Sequence, residues 1–104
     1  MMNKVVTFGE IMLRLGAPDY LRLVQSHQLD VSFAGAEANV AVSLSNYGIP
    51  TDYITCLPQN PMAEKCLREL RSYQVGTSHV QRGGKRMGIL FLETGSNARP
   101  SQVY

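Results

Sequence analysis

The 104-residue sequence predicts an α/β fold with parallel strands and a small accessory sheet. Three observations predict it. Short apolar runs at Lys4 to Phe8, Thr51 to Leu57 and Ser78 to Gln81 are separated by two helical patterns, which gives the order strand, helix, strand, helix, strand. Glycine and proline mark the ends of those segments. Extra strand-like runs fall before Gly35 and after Gly84, outside that alternation, and they form the accessory sheet.

Taken in order, Lys4 to Phe8 reads as a short buried strand closed by Gly9. Ile11 to Leu15 alternates Ile11, Leu13 and Leu15 against Met12 and Arg14, the pattern of a half-exposed strand. A polar segment with a Pro18-Asp19 turn leads to a third strand at Asp30 to Phe33 and delivers the chain to Gly35. From Ala36 to Tyr47 a helix is expected to be packed on several faces, since Val40, Val42, Leu44 and Tyr47 are separated only by small or short residues. Gly48 closes it in the left-handed conformation and Pro50 prevents its continuation. The second helix is punctuated by Asn60 as N-cap and Pro61 at its first position. It carries an apolar stripe of Met62, Cys66, Leu67, Leu70 and Tyr73, with i,i+4 pairs Glu64–Arg68 and Lys65–Glu69 on its outer face. Gly83-Gly84-Lys85-Arg86 reads as a basic hairpin loop, followed by strands at Met87 to Glu93 and near Ser101 to Tyr104.

Composition narrows the function classes. The chain fits one domain at most, and 44% hydrophobic with 17% charged residues is ordinary for a folded segment. A net charge of +2 with scattered basic residues offers no stripe for a phosphate backbone, so no nucleic-acid partner is expected. Neither a signal peptide nor a membrane span is legible, and a cytoplasmic location without a membrane partner is expected. Cys56 and Cys66 have no paired metal or redox spacing and suit reduced, buried thiols.

The chemistry concentrates at Phe33-Ala34-Gly35-Ala36-Glu37-Ala38-Asn39. A glycine at a strand-to-helix corner lets a ligand approach its backbone, and the free amides of the helix start attract oxygen-rich or anionic groups. Side chains on a helix lean toward its N-terminus, so the Asn39 carboxamide can aim at the same mouth as donor and acceptor. The alternative is a tight turn before an ordinary capped helix. Glu10, after the Gly9 turn, is open to two readings: acceptor for a substrate hydroxyl, or a strand-end carboxylate bonded to backbone amides. His27 and His79 lack partners at zinc spacing, no metal ligand set is expected, and no catalytic residue is legible. The Gly83-Gly84 segment lacks the spacing and the hydroxyl of a nucleotide-binding P-loop.

Three motifs then bear on family. Val5-Val6-Thr7-Phe8-Gly9-Glu10, Gly35-Ala36-Glu37-Ala38-Asn39-Val40-Ala41 and the segment from Leu44 to Gly48 together resemble the N-terminal part of the ribokinase-like (PfkB-type) carbohydrate kinases. Gly-Ala-Glu-Ala-Asn, Gly88-Ile89-Leu90-Phe91-Leu92-Glu93 and Arg99-Pro100-Ser101-Gln102-Val103-Tyr104 most resemble the 2-keto-3-deoxygluconate kinases within that family. The resemblance implies the N-terminal portion of a ribokinase-like three-layer α/β/α fold, with residues 1–104 a segment of a single kinase domain. Core elements would lie near 4–9, 36–57 and 60–81, and lid strands near 11–16, 30–33, 87–93 and 100–104.

It further implies a kinase moving the γ-phosphate of ATP, with Mg2+, to a primary hydroxyl of a keto-deoxy sugar acid. Gly35, Asn39 and the adjacent Ala34 would contact the sugar, Met12 and Leu90 would be lid contacts, and the lid strands would pair two subunits in a homodimer. Departures are present: Ala34 replaces a second glycine, Leu90 replaces a substrate-touching tyrosine, and Asn60 and Ala63 replace an Asp and a Gly. Arg14 stands near the place where many sugar-binding relatives carry an acid, which suits an acidic sugar or else an exposed lid-strand arginine. The family's ATP site, anion hole and catalytic aspartate match nothing in these residues, so the chain is expected to be a truncated enzyme without turnover of its own. Two alternatives stand beside this reading: a related kinase for fructose, ribose or a nucleoside, and a non-catalytic sugar-binding or dimerisation module.

Overall fold

The structure, a computed structural model, describes residues 4–95 and 101–104. Its contacts divide the chain into two compact units, one of the described residues up to Ile11 with Ala34–Met87, the other of Met12–Phe33 with the described residues from Gly88 on. Arg99 and Pro100 of the last sequence motif lie outside the described residues.

In the first unit, strand β1 (Val5–Phe8) pairs in parallel with β4 (Thr51–Ile54), Val5 opposite Thr51 and Phe8 opposite Ile54. Helix α1 (Ala36–Asn46) lies against both strands. A parallel pair needs a crossover of this kind, and α1 is part of it. On its other edge β4 is bridged by Gly76, whose amide donates to the Thr51 carbonyl (2.8 Å) and whose carbonyl accepts from the Tyr53 amide (3.0 Å). Gly76 packs so closely on Asp52 that a Cβ there would overlap the carboxylate. Asp52 is buried and receives the Lys4 ammonium at 3.4 Å. Strand β4 is therefore flanked on both edges, which explains why Thr51, Asp52 and Tyr53 are buried while most of β1 is exposed.

Helix α2 (Pro61–Ser72) begins as its punctuation predicts, with the Asn60 side chain accepting from the Ala63 amide at 2.9 Å. It buries Ala63, Cys66, Leu67 and Leu70, whereas Tyr73 falls past its end and is exposed. Glu64 takes both Arg68 (3.5 Å) and Arg71 (4.0 Å), and Lys65–Glu69 is not among the ion pairs of the described residues.

Several expectations are corrected. The run Thr51 to Leu57 is two strands: after Ile54 the Thr55 carbonyl accepts from the Gln81 amide (2.9 Å), and the chain changes partner from β1 to β6, so that β5 (Cys56–Leu57) pairs with β6 (Gln81–Arg82) in parallel. The strand expected at Ser78 begins only at Gln81, since Thr77 to Val80 form a turn closed by the Val80 amide on the Thr77 carbonyl (3.1 Å). Gly83 to Arg86 is not a hairpin, because β6 pairs with β5 and the next strand pairs elsewhere. Helix α1 is not packed on several faces: Ala38 and Ala41 are its buried residues, and Val40 and Tyr47 are 49% and 81% exposed. Its fully buried residues are both alanines, while Val42 and Leu44 are half-buried. Gly48 does take the left-handed conformation (φ +80°).

The second unit is a four-stranded sheet in the order β3 (Asp30–Ala34), β2 (Met12–Gly16), β7 (Ile89–Glu93), β8 (Gln102–Val103). Strands β2 and β7 are parallel with Leu13 opposite Ile89 and Arg14 opposite Leu90, and β8 is antiparallel to β7. A 3₁₀ turn at Leu23–Gln25 is tied to β7 by the Leu23 amide on Glu93 Oε1 (3.4 Å).

Both thiols are free, but Cys56 is exposed where burial was expected, because it lies at the outer position of a two-residue strand. Cys66 is fully buried, and burial, assisted by Glu69, pushes its thiol from 9.0 up to about 12. A thiol that resists ionisation when folded and ionises freely when unfolded favours folding below pH 9 and progressively less above it. In denaturant melts of this protein from pH 8 to 11, stability is expected to fall by up to about 1.4 kcal/mol per pH unit beyond pH 9 on account of this group. Cys66→Ala should remove that component of the slope.

Candidate functional site

The corner between β3 and α1 is built on a close approach of two backbones. Gly35 is the N-cap of α1 with an extended backbone (φ −175°, ψ 127°) that any residue can adopt. Space is what excludes other residues: a Cβ on Gly35 would lie 2.7 Å from the Glu10 carbonyl oxygen and 3.3 Å from the Ile11 Cα. The start of α1 is thereby set against the segment that follows β1. The first helical bond runs from the Asn39 amide to the Gly35 carbonyl (2.9 Å), so the amides of Ala36, Glu37 and Ala38 precede it and have no partner within the helix. Asn39 is exposed one turn into the helix, and Ala34 is half-buried immediately before the corner.

The adjoining turn is held in a similar way. Tyr53, fully buried on β4, donates its hydroxyl to the Gly9 carbonyl at 2.9 Å, and burial pushes its phenol above the ordinary value, with Glu37 and Glu10 adding to the rise. Glu37, in the first turn of α1, covers Gly9 so closely that a Cβ there would come within 2.5 Å of its Oε2. Beside this turn the carboxyl ends of β1 and β4 open into a cleft of about 610 Å³ whose polar lining includes Glu10, Thr55, Cys56 and Gln81. Crevices at the carboxyl ends of parallel strands are the usual ligand positions of open α/β sheets. Sequence reasoning singled out Glu10 but not Thr55, Cys56 or Gln81, because it merged β4 and β5 into one strand and so hid the partner change that brings Gln81 there.

Met12 and Leu90 belong to the second unit. Both are half-buried, and the β2–β7 register puts them on one face of that sheet with Arg14, which pairs with Leu90. The structure thus gathers Ala34, Gly35 and Asn39 at the corner of the first unit and Met12 with Leu90 on a sheet face of the second.

With this geometry in place, comparison with known proteins decides the family. Residues 2–104 match the sequence model of the pfkB family carbohydrate kinases. The chain belongs to that family. It is similar to a 2-dehydro-3-deoxygalactonokinase of Haloferax volcanii, 35% identical over 103 residues that make up 99% of this chain and 32% of that protein. Its fold is similar to the crystal structure of a 2-dehydro-3-deoxygluconokinase from Thermotoga maritima, with 49% identity and a TM-score of 0.95 over 100% of this chain and 32% of that one. An uncharacterized sugar kinase from Pyrococcus horikoshii in complex with ATP is similar at 25% identity and a TM-score of 0.82, over 96% of this chain and 33% of that one. The chain therefore spans about a third of the length of these pfkB-family relatives.

No three His, Cys, Asp or Glu among the described residues come together as metal ligands, and Gly83-Gly84 leads into a strand where a phosphate cradle requires a helix start. His27 and His79 are both exposed. No helix among the described residues is long and apolar enough to cross a membrane.

Gly35→Ala tests the corner directly. Its Cβ meets backbone, which cannot rotate away, so the substitution should cost about 1–3 kcal/mol of stability in a denaturant titration. A neutral result would mean that the two backbones are not in contact.

Proposed function

We propose that the protein carrying this chain is an ATP-dependent kinase that phosphorylates a primary hydroxyl of a 2-keto-3-deoxy sugar acid, 2-keto-3-deoxygluconate foremost, and that this segment holds the sugar. The observation that carries the reading is the end-to-end likeness, at 49% and 35% identity, to kinases named for two such sugars. The corner supports it chemically. Gly35 gives a polyol access to backbone, with Ala34 beside it, while the α1 amides and the Asn39 carboxamide provide donors and an acceptor for hydroxyl groups. In the same reading Met12 and Leu90 offer apolar contacts to the sugar.

Phosphoryl transfer relies on positioning and on charge stabilisation at the γ-phosphate. In this reading the residues of this segment orient the sugar, and the phosphate-handling groups and the base are supplied by residues other than those described. A homodimer through the lid strands belongs to the same reading, and the exposed apolar Val31, Ile89, Phe91 and Tyr104 of that sheet favour it. The reading also places the enzyme in the cytoplasm.

A coupled assay of the full-length protein with MgATP should give a kcat/KM for 2-keto-3-deoxygluconate at least about tenfold above those for fructose, ribose or adenosine, a difference of about 1.4 kcal/mol. Preference for one of the neutral substrates would overturn the substrate assignment, and the 104-residue segment alone should show no turnover. In the same assay Asn39→Ala should raise KM for the sugar acid about tenfold, the loss of one or two hydrogen bonds. An unchanged KM would remove Asn39 from the site.

A further inference from the structure

Two polar side chains of the cleft at the ends of β1 and β4 are not used by the fold. Glu10 and Gln81 both line it, both are exposed, and neither side chain makes a hydrogen bond to the other described residues. Their backbones, by contrast, are held. The Gln81 amide donates to the Thr55 carbonyl (2.9 Å), and two residues on the Gly83 amide donates to the Leu57 carbonyl (2.8 Å), which fixes the first residue of β6 beside the end of β4. Glu10 follows Gly9, whose amide donates to the Ile54 carbonyl (3.3 Å) and whose carbonyl accepts from the buried Tyr53 hydroxyl (2.9 Å). Two unengaged polar groups thus stand on fixed stems, 71 residues apart in sequence and brought to one cavity by the parallel strands.

The chemistry of the pair defines what the cleft takes. A carboxylate only accepts hydrogen bonds, whereas a carboxamide donates and accepts, so together they match hydroxyl groups, which donate to the one and accept from the other. They do not suit an anion. Glu10 is itself negative and Glu37 covers Gly9 at the same end of the unit, so a carboxylate placed there would meet like charge. Phe8 and Ile54 complete the lining and suit a carbon chain. The volume of about 610 Å³ falls within the roughly 300–1,000 Å³ usual for small-molecule sites. The cleft also adjoins the corner inside the first unit, since Gly9 and Glu10 line the one and the Glu10 carbonyl is the atom on which Gly35 packs.

We infer that a sugar held at the Gly35 corner extends its hydroxyl-bearing chain into this cleft, where Gln81 donates to a secondary hydroxyl and Glu10 accepts from one, while its carboxylate points away. This rests on the sugar-acid kinase reading and adds a substrate contact, Gln81, and an orientation of the sugar. Glu10 sets the orientation by charge, and Gln81 supplies the donor that the carboxylate lacks.

The test measures steady-state kinetics of the full-length protein with MgATP and 2-keto-3-deoxygluconate. Gln81→Ala removes a side chain that makes no bond within the described fold, so the variant should fold as the wild type does, raise KM for the sugar acid about tenfold and leave KM for ATP within about twofold. Gln81→Glu keeps the shape, loses the donor and adds a second carboxylate to the cleft, and should raise the sugar KM further. Glu10→Gln reads the orientation: the sugar KM should rise about threefold as a charged acceptor becomes a neutral one, and a KM at or below that of the wild type would overturn the orientation. An unchanged sugar KM in Gln81→Ala, or sugar and ATP KM values rising together, would overturn the Gln81 assignment while the kinase reading stood. If the wild-type protein turned over no keto-deoxy sugar acid, the substrate reading would fail and this inference with it.

Discussion

Two stretches of backbone meet at Gly35 with no room for a side chain between them, and the arrangement of the first unit follows from that contact. Helices ordinarily keep their distance from a neighbouring chain by the thickness of their side chains. Here the absence of a Cβ lets the first residue before α1 rest on the Glu10 carbonyl and the Ile11 Cα. The helix start is thereby set at the carboxyl end of β1, and its unbonded amides are brought to the same end as the cleft between β1 and β4. The buried Tyr53 hydroxyl on the Gly9 carbonyl secures the other side of the turn. A hydrogen bond of this kind contributes only about 1 kcal/mol net, so its importance is geometric: it holds the turn against which Gly35 packs.

The buried charge in β4 follows a different logic. Asp52 is held by Lys4 and packed against Gly76, and each of its neighbours is a backbone or side-chain group of the same unit. Such a group is structural, since its demand for a partner is met within the fold. Arg14 presents the contrasting case. Its demand is met on one edge by a neutral hydroxyl and on no other edge among the described residues. The two charges thus differ in how far the fold itself answers them.

Much of this was legible from the sequence where the signal is local. Asn60-Pro61 fixed the start of α2 because an N-cap side chain and a proline at the next position act within a single turn, and the Asn60 side chain bonds the Ala63 amide as expected. Gly48 closed α1 for an equally local reason. The misreadings share a different cause. The split at Thr55 comes from a change of sheet partner, and the Gly83-Gly84 segment looked like a hairpin because its flanking strands were close in sequence although they pair with β5 and β2. Neither fact exists in a one-dimensional pattern. The turn at Thr77 to Val80 contains neither glycine nor proline and so carried no mark. At the candidate site, Gly35 and Asn39 were legible because a strand-to-helix corner is a local construction. The Arg14–Ser32 pair was not, since 18 residues separate its members and only the sheet brings them together.

Backbone access by itself is a weak means of choosing among sugars. Amides and a carboxamide at a glycine corner bind hydroxyl groups, and most sugars of similar size present hydroxyls in abundance, so such a corner accepts many of them. Strong discrimination arises when the wrong ligand leaves a polar group of the site unsatisfied.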